Sequence, residues 1–304
     1  MNGITFKYLI LTLLFNTFSA NKVKDGNFTP IVLWHGMGDS CCFSFSLGAV
    51  KEKLEEILPG VHVVSLRIGS SEVNDVENGY FLHPDKQINM ACNLIQADPL
   101  LSDGFNGIGF SQGAQFLRGL LQRCPKVHIK NLISLGGQHQ GVYGLPNCGS
   151  LSHSICDYIR RLLNHAAYLE WVQKALVQAT YWHDPLHEQE YKNYSTFLSD
   201  INNEITINDE YVQRLQTLDN FVLVKFDNDT IVEPRETEWF GFYKPGQSSM
   251  IQTLKESPIY TEDRLGLRKL DEDSKLHFLG VIGNHLQFEW GWFQKNIIDP
   301  YLKN

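Results

Sequence analysis

The chain has 304 residues, 43% of them apolar, 20% charged and 12% aromatic, with a net charge of −8. That composition suits one large hydrophobic core and excludes a disordered chain, a collagen-like repeat and a coiled coil. The acidic balance argues against a nucleic-acid partner, because phosphate binding needs clustered Lys and Arg.

Met1–Ala20 carries one charge, Lys7, then the apolar run Tyr8–Phe15, and ends on the small residues Ser19 and Ala20. This is the layout of a cleaved secretory signal peptide, and the run is shorter than the roughly 20 apolar residues an anchor helix needs. Phe18 fits poorly three places before a cut after Ala20. No later stretch is long and apolar enough to span a bilayer, so no transmembrane anchor is expected. A secretory route makes Asn27-Phe28-Thr29, Asn193-Tyr194-Ser195 and Asn228-Asp229-Thr230 candidates for glycosylation. It also turns the six cysteines into disulfide candidates. Cys148 and Cys156 are near enough to close a small loop, whereas a bridge between the neighbours Cys41 and Cys42 requires a strained turn. No pair of CxxC knuckles exists, so no metal is expected.

Ile31–Trp34 is a short β-branched run ending at His35-Gly36-Met37-Gly38, which reads as a buried strand entering a Gly-rich loop. Apolar spacing predicts a helix over Phe45–Leu58, a strand over Val61–Ile68 and a helix over Gln87–Ala97. Asn106–Phe110 reads as a strand, Gln112–Arg123 as a helix, and Asn131–Leu135 as a strand ending at Gly136-Gly137. Strand alternating with helix predicts an α/β protein with a mostly parallel central sheet flanked by helices. After Gly141 the rhythm breaks. Ser150–Asn220 carries helical patterns, and Phe221–Phe226 and His277–Ile282 then read as strands. The expected organisation is a single domain, 21–304, with a largely helical insertion at about 141–220. Entering after a strand end, where ligands bind in such sheets, the insertion is placed to cap a site.

Gly109-Phe110-Ser111-Gln112-Gly113 fits G-x-S-x-G between a predicted strand and a predicted helix, the context a nucleophile elbow requires. A serine hydroxyl needs a histidine to take its proton and a carboxylate to fix that histidine's tautomer. In such sites the chain order is Ser, acid, His. His285, in the loop after the last predicted strand, is the candidate base, while His277 lies inside that strand and reads as a packing residue. Asp227 and Asp229 both follow the strand Phe221–Phe226 and both qualify on spacing; Asp263 and Asp271 sit in charged, solvated loops. The N–H of Gln112, next after the nucleophile, and that of Met37, in the loop after the first strand, are the oxyanion donors expected. His35 reads as a loop-shaping residue.

The runs Trp34-His35-Gly36-Met37-Gly38-Asp39-Ser40-Cys41-Cys42, Gly109–Gly113 and Gly136-Gly137-Gln138-His139-Gln140-Gly141-Val142 closely resemble the palmitoyl-protein thioesterases, type 1. Tyr181-Trp182-His183-Asp184-Pro185, Glu238-Trp239-Phe240-Gly241-Phe242-Tyr243, Asp263-Arg264-Leu265-Gly266-Leu267 and His285-Leu286-Gln287 match as well, in the family's order. The resemblance implies a lysosomal α/β-hydrolase that removes long-chain acyl groups from protein cysteine thioesters without metal or cofactor. It implies Ser111 as nucleophile, Asp229 rather than Asp227 as acid, His285 as base, and bridges Cys41–Cys42, Cys92–Cys124 and Cys148–Cys156. Ala114 stands where the family often has a third Gly, and Asn284 where an acidic residue is expected before the histidine.

The partners expected are S-acylated proteins or peptides and acyl thioesters. A long acyl chain calls for an apolar groove, since each buried CH₂ contributes roughly 0.8 kcal/mol. Its candidates are Val142, Tyr143, Leu145, Tyr168, Trp171, Leu176, Tyr181 and Trp182. Two alternatives are another secreted or lysosomal lipid esterase or lipase, and a non-catalytic hydrolase-fold binding protein.

Overall fold

The computed structural model describes residues 28–144, 163 and 165–303. The segment Met1–Ala20, Asn27, Leu145, Cys148 and Cys156 lie outside the described residues, as does the opening of the insertion.

The chain enters through β1 (Ile31–Trp34), α1 (Leu47–Ile57) and β2 (Val63–Ser65), then α2 (Glu72–Phe81) and α3 (Pro84–Ala97). It continues through β3 (Phe105–Phe110), α4 (Gln112–Arg123) and β4 (Ile129–Leu135), and returns to the sheet at β5 (Asn220–Phe226). A small hairpin, β6 (Phe242–Tyr243) and β7 (Ile251–Gln252), precedes the last sheet strand, β8 (Leu276–Val281). The main sheet is parallel throughout in the order β2-β1-β3-β4-β5-β8. This is an α/β-hydrolase sheet, as the sequence leads one to expect.

Alternation along the strands explains why both faces are covered. Ile31, Leu33, Ile133, Leu135, Val222 and Val224 pack with α1 and the C-terminal helical turns through Leu54, Phe293, Ile297 and Leu302. Val32, Trp34, Leu132, Phe221 and Leu223 point the other way, onto Ile88 and Ala91 of α3 and Phe116, Leu117 and Leu120 of α4. Residues one apart on a strand face opposite sides, so a sheet buried on both faces needs runs of apolar residues rather than alternation with polar ones.

Several element bounds differ from the sequence reading. β2 is shorter than Val61–Ile68, and α3 begins at Pro84 rather than Gln87 because His83 caps it and Pro84 fits the first helical turn. The helix α2 has no counterpart in the sequence reading. Its signal was local: the Ser71 hydroxyl accepts the Asn74 N–H at 3.2 Å, and Glu72 and Asp75 occupy the first turn.

Between β4 and β5 the described residues form short helices at Glu170–Ala175, Val177–Thr180, Glu188–Tyr194, Leu198–Ile201 and Asp209–Gln216. Val142 N–H donates to Tyr181 O at 3.1 Å and His183 N–H to Val142 O at 3.0 Å, which ties the exit from β4 to these helices. No described helix is long and apolar enough to cross a membrane. Cys41–Cys42 and Cys92–Cys124 are bridged, the second joining α3 to the end of α4.

Candidate active site

In a sheet of this order the chain steps outward from β1 to β2 and then returns to β3 on the other side of β1. The loops leaving β1 and β3 therefore diverge and open a crevice at the strand C-termini. Ser111 follows β3 directly. Its backbone lies at φ 53° and ψ −120°, a conformation that costs a non-glycine residue about 1–3 kcal/mol. The flanking residues must be glycine because the turn is tight: a Cβ on Gly109 would lie 2.3 Å from Ala114 Cα, and one on Gly113 2.3 Å from Trp34 O. Ala114 itself is fully buried, so the departure from a third glycine is absorbed by close packing.

The Met37 and Gln112 N–H groups donate no hydrogen bond among the described residues, as oxyanion donors in the resting state require. Gln112 is held by its side chain, which donates to Gly79 O of α2 at 3.0 Å and accepts the Tyr181 hydroxyl at 3.1 Å. The neighbourhood of Met37 Sδ is likewise built by the insertion, since the Gln178 amide contacts that sulfur.

His285 stands in the loop after β8, and its Nδ1–H donates to Asp229 Oδ2 at 2.5 Å. Asp229 Oδ1 accepts the N–H groups of Ile231 at 2.7 Å and Val232 at 2.9 Å, so the carboxylate is fixed at both oxygens. Burial alone pushes the Asp229 carboxyl up, but the hydrogen bond and charge of His285 outweigh it and hold the group below the usual aspartate value. Asp227 turns away and pairs with Lys225 at 3.2 Å. Asn284 links the two loops: its side-chain oxygen accepts from Thr230 N at 3.0 Å and His285 N at 2.7 Å. His285 in turn faces the end of β4, where a Cβ on Gly136 would lie 3.1 Å from its Cε1. Ser111 N–H donates to Leu135 O of the same strand end at 2.7 Å, so the serine and the histidine flank one strand terminus. Among the described residues the Ser111 hydroxyl and His285 Nε2 have no hydrogen-bond partner.

A family model described as palmitoyl protein thioesterase matches residues 30–285. A palmitoyl-protein thioesterase 1 of Caenorhabditis elegans is 50% identical over 90% of this chain and 91% of its own length. The chain belongs to the palmitoyl protein thioesterase family. It is an enzyme, a thioester hydrolase. Other relatives of the thioesterase include palmitoyl-protein thioesterase 3 of Dictyostelium discoideum, 34% identical over 90% of this chain and 92% of that one. A lysosomal thioesterase PPT2 homolog of Drosophila melanogaster is 26% identical over 90% of this chain and 92% of its own length.

Two buried acids of the thioesterase were not singled out in its sequence. Asp75, on α2, is fully buried and accepts from His35 Nε2 at 2.9 Å, Ser40 Oγ at 3.0 Å, Cys41 N at 2.9 Å and Ile68 N at 2.6 Å. It therefore shapes the whole loop that carries Met37. Glu238 is fully buried beside Asp229, and ligand atoms of Asp229, Glu238 and His285 all lie within 4.8 Å of one another. A hydrogen-bonded His285–Asp229 contact of 2.5 Å leaves no space for an ion between those two atoms, so the cluster suits a shared proton better than a metal. Neither acid sits in a motif of fixed spacing; Glu238 falls within the run Glu238–Tyr243, which gave the only hint.

The groove candidates separate into groups. Leu176 and Trp182 belong to a small apolar cluster with Leu163, Val172 and Ala179, against which Val142, Tyr143 and Tyr168 pack. Tyr181 joins the main core and meets Gln112, whereas Trp171 is 54% exposed. His277 pairs with Asn220 at 2.8 Å inside the sheet, and Asp271 with Lys255 at 2.8 Å. Asp263 accepts the Arg268 N–H at 2.8 Å.

Proposed function

We propose that this thioesterase removes long-chain fatty acyl groups, palmitoyl among them, from cysteines of lipid-modified proteins. In this reading Ser111 is the nucleophile, His285 the base, and Asp229 the acid that orients it. The observation that carries the proposal is the convergence of a strained serine at a strand–helix turn with a His–Asp pair at 2.5 Å on the same sheet edge.

The acyl transfer has two steps. His285 Nε2 takes the Ser111 proton as Oγ attacks the thioester carbonyl, and the N–H groups of Met37 and Gln112 receive the oxyanion. The intermediate collapses to an acyl-enzyme as the C–S bond breaks, and the cysteine leaves as its thiol with the proton from His285 Nε2, which restores the imidazole as a base. A thiol of pKa about 8.5 leaves far more easily than an alcohol. Water, deprotonated by His285, then attacks the acyl-enzyme, and Ser111 departs with the proton. The acyl chain runs along the apolar cluster of Val142, Tyr143, Tyr168, Leu176 and Trp182.

A lysosomal setting reached by the secretory route accords with the signal-like segment Met1–Ala20 and with the name of the Drosophila relative. The sequon residues Asn193 and Asn228 are exposed, as glycan carriers must be. Ser111→Ala is expected to abolish fluorophosphonate labelling and lower kcat on a palmitoyl thioester by at least roughly 10³-fold. Unchanged turnover in that variant would sink the proposal, and preference for a matched oxoester or triglyceride would reassign the substrate to a lipid esterase's.

A further inference from the structure

Glu238 lies in the helical turn Arg235–Trp239, which crosses the C-terminal edge of β5. Its side chain is fully buried, and one oxygen, Oε2, accepts the N–H of Phe226, the last residue of β5, at 2.8 Å. The other oxygen, Oε1, meets no protein donor although it is sealed from water. A carboxylate oxygen of Glu238 lies within 4.8 Å of one of Asp229, so the two acids share one buried space. Two carboxylates cannot face one another in a buried space without a proton between them, since desolvation and mutual repulsion both penalise a second charge. Asp229 already receives three donors, two N–H groups and His285, so it keeps the negative charge. The proton therefore resides on Glu238, and Oε1 stops being an orphaned acceptor: it becomes a donor with a partner.

We propose that Glu238 is a positioning residue for the thioesterase reaction, a neutral carboxylic acid whose Oε1–H donates to the Asp229 carboxylate and fixes the acid that orients His285. The inference rests on the assignment of Asp229 and His285 to the catalytic machinery. Burial, then the hydrogen bond and charge of Asp229, push the Glu238 carboxyl up to about 10, in keeping with a proton retained at any working pH.

Neutrality matters for the chemistry. An ionised glutamate at this distance would add a second negative charge behind His285 and hold the imidazole protonated, which silences it as a base in an acidic compartment. A neutral donor fixes Asp229 without that cost. It also draws charge away from the Asp229 oxygens, so the carboxylate stays ionised when the surroundings become acidic.

The test uses two substitutions in the full-length enzyme. Glu238→Gln keeps both contacts, with the amide N–H directed at Asp229 and the amide oxygen at Phe226 N–H. It is expected to retain most of kcat, with the acid limb of the kcat/KM–pH profile in place. Glu238→Leu fills the space without either contact and is expected to lower kcat roughly 10- to 100-fold, with KM little changed. If Glu238 were ionised, Glu238→Gln would remove a charge and move the acid limb to lower pH by more than about one unit; that shift overturns the proposal. The infrared difference between wild type and Glu238→Gln at neutral pH gives a readout independent of turnover. Loss of a carboxylic-acid C=O band supports the proposal, and loss of carboxylate bands refutes it. Failure of the triad assignment is recognised separately, by an Asp229→Asn variant that retains activity.

Discussion

Two of the Asp–His pairs among the described residues of the thioesterase look alike at first sight and differ at one nitrogen. His35 Nε2 donates to Asp75 at 2.9 Å, and its Nδ1 lies 2.8 Å from Gly36 O. Both ring nitrogens thus face acceptors, an arrangement that favours the imidazolium and leaves the ring no lone pair to offer while it is protonated. His285 also gives one nitrogen to an aspartate, but its Nε2 has no partner among the described residues, and the ring is half-buried at the crevice. The lesson is that an Asp–His contact alone does not mark a base. In the proposed assignment, what separates the structural pair from the reactive one is whether the second nitrogen is spent.

Breaking each pair from one side should separate these roles, and the largest effect is expected at His285. His285→Ala should reduce kcat by at least roughly 10³-fold while leaving the urea midpoint nearly unchanged. A mutant with substantial residual turnover would mean that another group takes the serine proton. At the other pair the expected loss is in stability. Asp75→Ala leaves an imidazolium, a hydroxyl and two N–H groups without their acceptor, and breaking a buried pair from one side typically costs about 3–5 kcal/mol. Urea unfolding reads this directly; a loss below about 1 kcal/mol would show that the pair is replaceable by water. Activity should fall as well, because the same loop presents the Met37 N–H.

The contrast also explains what the sequence revealed. The elbow was legible because its requirements are local: two glycines four apart, forced by contacts with Ala114 and Trp34, with a strand before and a helix after. The parallel sheet was legible for the same reason, through apolar runs such as Phe221–Phe226. Choosing between Asp227 and Asp229 was beyond spacing, since both follow β5. The decision depends on a turn that sends Asp227 toward Lys225 and folds Asp229 back under the Ile231 and Val232 N–H groups. Asp75 lies 40 residues from its histidine, a separation no short pattern can encode. Glu238 follows Asp229 closely, yet its meaning depends on burial that only the fold creates. Trp171, a groove candidate, is mostly exposed and stands apart from the apolar cluster that holds Leu176 and Trp182, a difference helical spacing does not encode.

The two pairs should also respond differently to pH. Burial lowers the tendency of His35 to protonate, but the hydrogen bond and charge of Asp75 prevail and raise it above 6.5. Burial acts on Asp75 in the opposite sense, and His35 and the Cys41 and Ile68 N–H groups hold it below 3.8. A raised histidine contributes stability that is complete below 6.5 and disappears as pH climbs through its folded value. A depressed aspartate contributes stability that is complete above 3.8 and disappears as pH falls through its folded value. The pair therefore stabilises the fold most between 3.8 and 6.5. The difference in urea midpoint between wild type and His35→Gln should be greatest in that window and shrink above neutrality. A difference that stays flat, or grows with pH, would show that His35 is neutral in the folded state.

The smallest effect is expected where the reactive pair is held together rather than in the pair itself. Asn284 occupies the position before His285 where an acidic residue was expected, and its side-chain oxygen collects the N–H groups of Thr230 and His285. An aspartate could accept the same two hydrogen bonds, but it would place a third carboxylate near Asp229 and Glu238. Asn284→Ala releases two exposed loops from one another, and at about 1 kcal/mol for such contacts the loss in stability should be slight. Its effect on kcat should be a few-fold, because Asp229 still holds Nδ1 of the ring. Asn284→Asp is the sharper comparison. It keeps the geometry and adds charge beside His285, so the acid limb of the kcat/KM profile should move to higher pH while the maximum rate stays near wild type. A profile that does not move would mean that solvent screens position 284 from the imidazole, and that the choice of amide over acid there serves the loop contact rather than the base.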